Sequence, residues 1–134
     1  MSKQDERELK EGVAQNPNVF RSLVVAWNGI RLLFRTQRNA RIHAVGGSLL
    51  IISNLFLPLT PAEWGVLLLC IGLVLTLETV NTAIEITVNL VTRERHPLAG
   101  QAKDVAAGAV LLGVLCALSC WAVICIPKYW AFFQ

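Results

Sequence analysis

Charge is scarce in this chain, and positive charge is missing from most of its middle. Only 16% of the 134 residues are charged, against roughly a quarter in soluble domains. That shortfall argues against a fully solvated surface. Residues 64–92 contain no Lys or Arg and only two acids, Glu78 and Glu85. No P-loop, G-x-G-x-x-G, internal repeat or low-complexity tract occurs, so the motifs of soluble nucleotide-binding domains are missing. Four cysteines all fall within apolar blocks and none has a histidine at ligand spacing. Cys116 and Cys120 are four apart on one helix but lack a third ligand, and they read as small packing residues. No apolar core of seven or more residues precedes Val19, so a cleavable signal is not expected. No feature calls for a nucleic-acid partner.

What is present is apolar. Hydrophobic residues make up 54% of the chain, and uncharged blocks cover residues 42–62, 64–77 and 105–127. Stretches of that length and composition predict membrane-spanning helices. The expected fold is an all-α membrane protein in a single domain over residues 16–134, preceded by a solvated, mobile tail at 1–15. Spans are expected at about 38–58, 62–91 and 101–127. Asn16-Pro17 predicts a helix start, Asn as N-cap and Pro at the first position. From there Phe20, Leu23, Val24, Trp27, Ile30 and Phe34 recur at helical spacing, with Arg21, Arg31 and Arg35 mainly on other faces. This cationic amphipathic helix, about 16–36, either lies in the membrane interface or packs on the bundle.

Smaller signals refine the spans. Pro58 and Pro61 end the first span, and Gly46-Gly47-Ser48 allows a close helix approach. His96-Pro97 interrupts the chain, Gly100 permits a tight turn, and Gln101 opens the third helix. Ala106, Ala107, Gly108 and Ala109 form a small-residue surface, and Trp121, Tyr129 and Trp130 are expected as interfacial anchors. Asn54 is expected to bond between helices. Thr79, Thr82 and Thr87 are expected to bond carbonyls of their own helix. Eight of twelve basic residues lie in the first 41 positions, three more are Arg93, Arg95 and Lys103, and the turn at 58–63 has none. The bias of basic loops towards the cytoplasm puts the N-terminus inside and the C-terminus outside.

The second span carries Glu78, Asn81, Glu85 and Asn89. At 3.6 residues per turn these positions fall within an arc of roughly 80°, so they make one polar stripe. Ionisable groups in such a helix mark a functional site by default. Glu78 and Glu85 are about 10 Å apart along the axis, too far to share one ion. The deeper carboxylate suits a general base towards a hydroxyl. The shallower suits Mg²⁺, which needs one or two protein carboxylates when phosphates complete its shell. Lys103 and Asp104 at a helix start could serve a phosphate and its counter-group. Phosphoryl transfer to a lipid hydroxyl, cation-coupled transport and polar glue between subunits all remain open on these features.

The residues also carry a resemblance. Glu78-x-x-Asn81-Thr82-Ala83-Ile84-Glu85, then His96, then Ala102-Lys103-Asp104-Val-Ala-Ala-Gly-Ala-Val, resembles the bacterial integral-membrane diacylglycerol kinase and undecaprenol kinase family. Arg38-Asn39-x-Arg41-Ile42-His43 and Phe20-Arg21-Ser22…Ala26-Trp27-x-Gly29 agree with that family's amphipathic helix and first span. The likeness covers roughly residues 19–130. It implies a homotrimer of three-span subunits with composite active sites in the bacterial cytoplasmic (inner) membrane. It also implies ATP-dependent phosphorylation of undecaprenol or diacylglycerol at the cytoplasmic face. In that pattern Glu78 is the general base. Gln37, Asn81, Glu85, Glu94, Arg95, His96, Lys103 and Asp104 surround ATP, and Glu85 and Gln37 face Mg²⁺. The lipid lies near Trp27, Gly29, Arg31, Ala40, Arg41 and Glu78.

Two positions depart from the pattern. The family has Glu where this chain has Gln37, and Asp where it has Asn89. Each change keeps the shape and removes one negative charge, so metal-linked activity is expected to weaken. The implied alternative is a catalytically weakened or inactive relative.

Overall fold

The computed structural model describes residues 19–134; the predicted tail at 1–15 and the Asn16-Pro17 helix start lie outside the described residues. All regular structure among the described residues is helical: α1 (Val19–Thr36), α2 (Arg38–Asn54), α3 (Pro61–Val91) and α4 (Pro97–Phe132). The chain divides into two compact units at Arg35/Thr36. In the first, α1 exposes Phe20, Leu23 and Trp27, the large apolar side chains of its helical repeat.

In the second unit α3 packs along α4 extensively and against α2 less so. Both α3 and α4 are long and apolar enough to cross a membrane. With 17 residues, α2 is about 26 Å long, which is short of the bilayer's hydrocarbon thickness. It ends at Asn54, four residues before Pro58, and Leu55 and Leu57 close the end with bonds to Ile52 and Asn54 carbonyls.

The starts of α3 and α4 are set by caps. Thr60 and Glu63 form a reciprocal capping box on α3, with Pro61 inside the first turn: Glu63 N–H donates to Thr60 Oγ1 and Thr60 N–H to Glu63 Oε2. α4 begins at Pro97, ahead of the expected Gln101, because His96 caps it with Nδ1 accepting from Leu98 N–H at 3.3 Å. Gly100 therefore sits inside the helix and makes no turn; no described residue has positive φ. The helix also runs through Pro127 to Phe132. Losing one amide donor is tolerated in an apolar helix whose neighbours hold it in place.

Small residues decide where the helices touch. A Cβ on Gly47 would lie 2.9 Å from Ile71 Cγ2, and one on Gly113 would lie 2.5 Å from Leu77 Cδ1. A Cβ on Gly46 or Gly108 would meet nothing within 4 Å among the described residues. At the far end from the α3–α4 connection, Leu57, Leu67 and Cys125 form a buried cluster. Trp121 and Tyr129 pack against it, while Trp130 stays exposed. Tyr129 donates to Asn54 Oδ1 and Ser53 O, both at 3.0 Å, so Asn54, 1% exposed, does bond between helices. Lys128 Nζ reaches Glu63 at 3.1 Å and Pro58 O at 2.9 Å.

Candidate functional site

The polar stripe of α3 runs from buried to open. Glu78 is 2% exposed and Asn81 7%, Glu85 is half-buried, and Asn89 is exposed. Burying a carboxylate is costly. Thr82 Oγ1 donates to the Glu78 carbonyl, Thr79 to Leu75 O and Thr87 to Ala83 O, as their spacing predicts. These hydroxyls are thereby absorbed by the backbone, which leaves the stripe's amides and acids for other work.

Asn81 Nδ2 lies 3.5 Å from Glu85 Oε1, one turn away, whereas Asn81 Oδ1 is buried with no hydrogen-bond partner among the described residues. Buried polar atoms are nearly always satisfied, so this orphan oxygen fits a donor or cation from outside the chain. No group of three or more His, Cys, Asp and Glu side chains converges among the described residues. An all-protein metal cage is therefore not built here. Mg²⁺ carried with phosphates makes a smaller demand, one or two carboxylates and further oxygens, and the half-buried Glu85 carboxylate fits that demand. Gln37 stands at the N-cap position of α2, where its side chain makes no capping bond. Ala40 is fully buried and Arg41 exposed on the same helix. Trp27, Gly29 and Arg31 belong to α1 in the other unit.

Where α3 meets α4, an open cleft of about 470 Å³ is lined by Asn89, Arg93, Glu94, Arg95, His96 and Lys103, among others. Three permanent cations and one acid give it a positive balance. Because His96 Nδ1 accepts from the helix amide, its ring proton resides on Nε2 as a donor. Lys103 Nζ donates to Asn89 Oδ1 at 2.8 Å, joining the last turn of α3 to the second turn of α4. Predicted residues Glu94, Arg95, His96 and Lys103 are thus brought together, while Asp104 is exposed and outside the cleft lining. Sequence reasoning passed over the pairing of Asn89 with Lys103. Its only signal was the stripe's continuation to Asn89.

A profile of the prokaryotic diacylglycerol kinase family matches residues 24–125. The chain is 41% identical over 109 residues to an undecaprenol kinase of Bacillus subtilis, covering 81% of this chain and 89% of that protein. It is 45% identical over 103 residues to a diacylglycerol kinase of Synechocystis, covering 76% of this chain and 59% of that one. Identity to the Escherichia coli diacylglycerol kinase is 28% over 116 residues, 84% of this chain and 95% of the other.

Proposed function

The chain belongs to the prokaryotic diacylglycerol kinase family, and from that premise we propose that it transfers the γ-phosphoryl group of ATP to the hydroxyl of a membrane lipid, undecaprenol or diacylglycerol. The observation that carries this reading is the buried Glu78 at the deep end of a polar stripe whose open end meets a basic cleft. Glu78 accepts the proton of the lipid hydroxyl. The freed oxygen bonds to the γ-phosphorus as the bond to the ADP oxygen breaks. Such reactions depend on positioning and charge stabilisation more than on covalent chemistry by the protein. Lys103, Arg95 and His96 Nε2–H hold the phosphate chain, with Glu94 as the counter-group in the cleft and Asp104 contacting the nucleotide from outside its lining. Mg²⁺, when bound through Glu85 and Gln37, would supply charge neutralisation across the phosphates, with Asn81 lining the nucleotide site.

The same reading puts α2, α3 and α4 across the bacterial cytoplasmic membrane with the basic cleft inside and the C-terminus outside. On it, α1 lies at the interface, with Trp27, Gly29, Arg31, Ala40 and Arg41 along the lipid. Side chains such as Leu69, Leu90, Val91 and Val123, exposed in the single chain, then meet lipid or neighbouring copies in a homotrimer with composite sites. A second reading, a catalytically weakened relative that binds nucleotide but transfers slowly, is favoured by the neutral Gln37 and Asn89 at positions where the family has acids.

Transfer of labelled γ-phosphate to undecaprenol and diacylglycerol in mixed micelles tests the proposal. Glu78→Gln is expected to lose roughly 10²–10⁴-fold in kcat with ATP affinity retained. Undiminished turnover in that variant would overturn the assignment. ATP binding without labelling of either lipid by the unmodified protein would favour the second reading.

A further inference from the structure

The contact between Asn89 and Lys103 is chemically specific. An ammonium beside a positive cleft is held by an amide oxygen at 2.8 Å, from a residue 14 positions earlier on the facing helix. An amide fixes the direction of the lysine as a carboxylate of the same shape would. Unlike a carboxylate, it leaves the positive charge uncancelled. One ammonium N–H is spent on Asn89, and two remain for other acceptors. Both residues line the cleft with Arg93, Arg95 and His96, and Glu94 is the one acid there. A freely rotating lysine would lose conformational entropy on meeting a ligand. A lysine already tethered by a neutral partner keeps its full charge and gives up less.

We propose that Asn89 is a positioning residue for the phosphate chain: it holds Lys103 at the cleft without neutralising it. This rests on the reading that the cleft receives ATP. It predicts the reverse of simple charge counting at the metal, because adding an acid at position 89 weakens the site.

The experiment is equilibrium binding of ATP in EDTA, without divalent metal, to the full-length protein in micelles at low and high salt. Asn89→Asp, Asn89→Ala, Lys103→Met and the Asn89→Ala/Lys103→Met pair are compared. Asn89→Asp is expected to weaken ATP binding by roughly tenfold at low salt, with the deficit shrinking at high salt. Its melting temperature should be unchanged or higher, since an ion pair replaces a neutral acceptor. Asn89→Ala is expected to lose affinity alone but nothing further in the Lys103→Met background, as coupled residues do. Loss on Lys103→Met with unchanged affinity in both Asn89 variants would overturn this inference and leave the nucleotide cleft standing. Unchanged affinity in Lys103→Met as well would overturn the cleft reading and the inference together. A loss in Asn89→Asp that tracks a lowered melting temperature and ignores salt would make Asn89 a helix tie only.

Discussion

The Tyr129 hydroxyl sits 3.0 Å from Asn54 Oδ1, joining the end of α4 to the end of α2 across 75 residues of sequence. Asn54 is one of the most completely buried side chains of the fold. Removing only the donor strands a buried amide, which costs about 1–3 kcal/mol, whereas replacing both partners by apolar groups of similar shape is close to neutral. Tyr129→Phe should therefore lower the melting temperature in micelles, and adding Asn54→Leu should recover most of the loss. Equal melting of Tyr129→Phe and the unmodified protein would remove this bond from the account.

Adjacent glycines should respond in opposite directions. Gly46 faces open space, so Gly46→Ala gains helix propensity, roughly 0.5–1 kcal/mol. Gly47 abuts Ile71 Cγ2, a stiff β-branched side chain. Overpacking there costs about 1–3 kcal/mol and offsets the same propensity gain. Thermal unfolding should rank Gly46→Ala above Gly47→Ala. The reverse order would mean that α2 does not approach α3 at Gly47.

Gln37 is the position where charge should help metal use. Gln37→Glu adds a carboxylate suited to Mg²⁺ and should lower the Mg²⁺ concentration for half-maximal phosphorylation by roughly threefold or more. A magnesium titration at fixed ATP checks it. No change would separate Gln37 from the metal altogether.

Much of the site could be read from periodicity. The stripe from Glu78 to Asn89 follows from the helical repeat alone, and so do the threonine back-bonds, because both depend on contacts within one helix. Asn54 was legible as an interhelical residue because a deep amide in an apolar segment needs a partner. Its donor, Tyr129, was not, since that pairing is set by how α2 and α4 converge. His96 as the cap of α4 was hidden by its neighbour: Pro97 reads as a breaker, yet it suits a first turn that needs no donor there.

Residue order alone determined that this chain would be helical and apolar, with Glu78 and Glu85 on one face of their helix, since those properties depend on spacing and composition. Packing decided that Gly47 and Gly113, among the described glycines, become contact points, that Trp121 packs on the buried cluster, and that Asn89 meets Lys103. Those outcomes depend on the rotation and offset of one helix against the next. Side chains far apart in sequence settle that geometry together, and no local pattern encodes it.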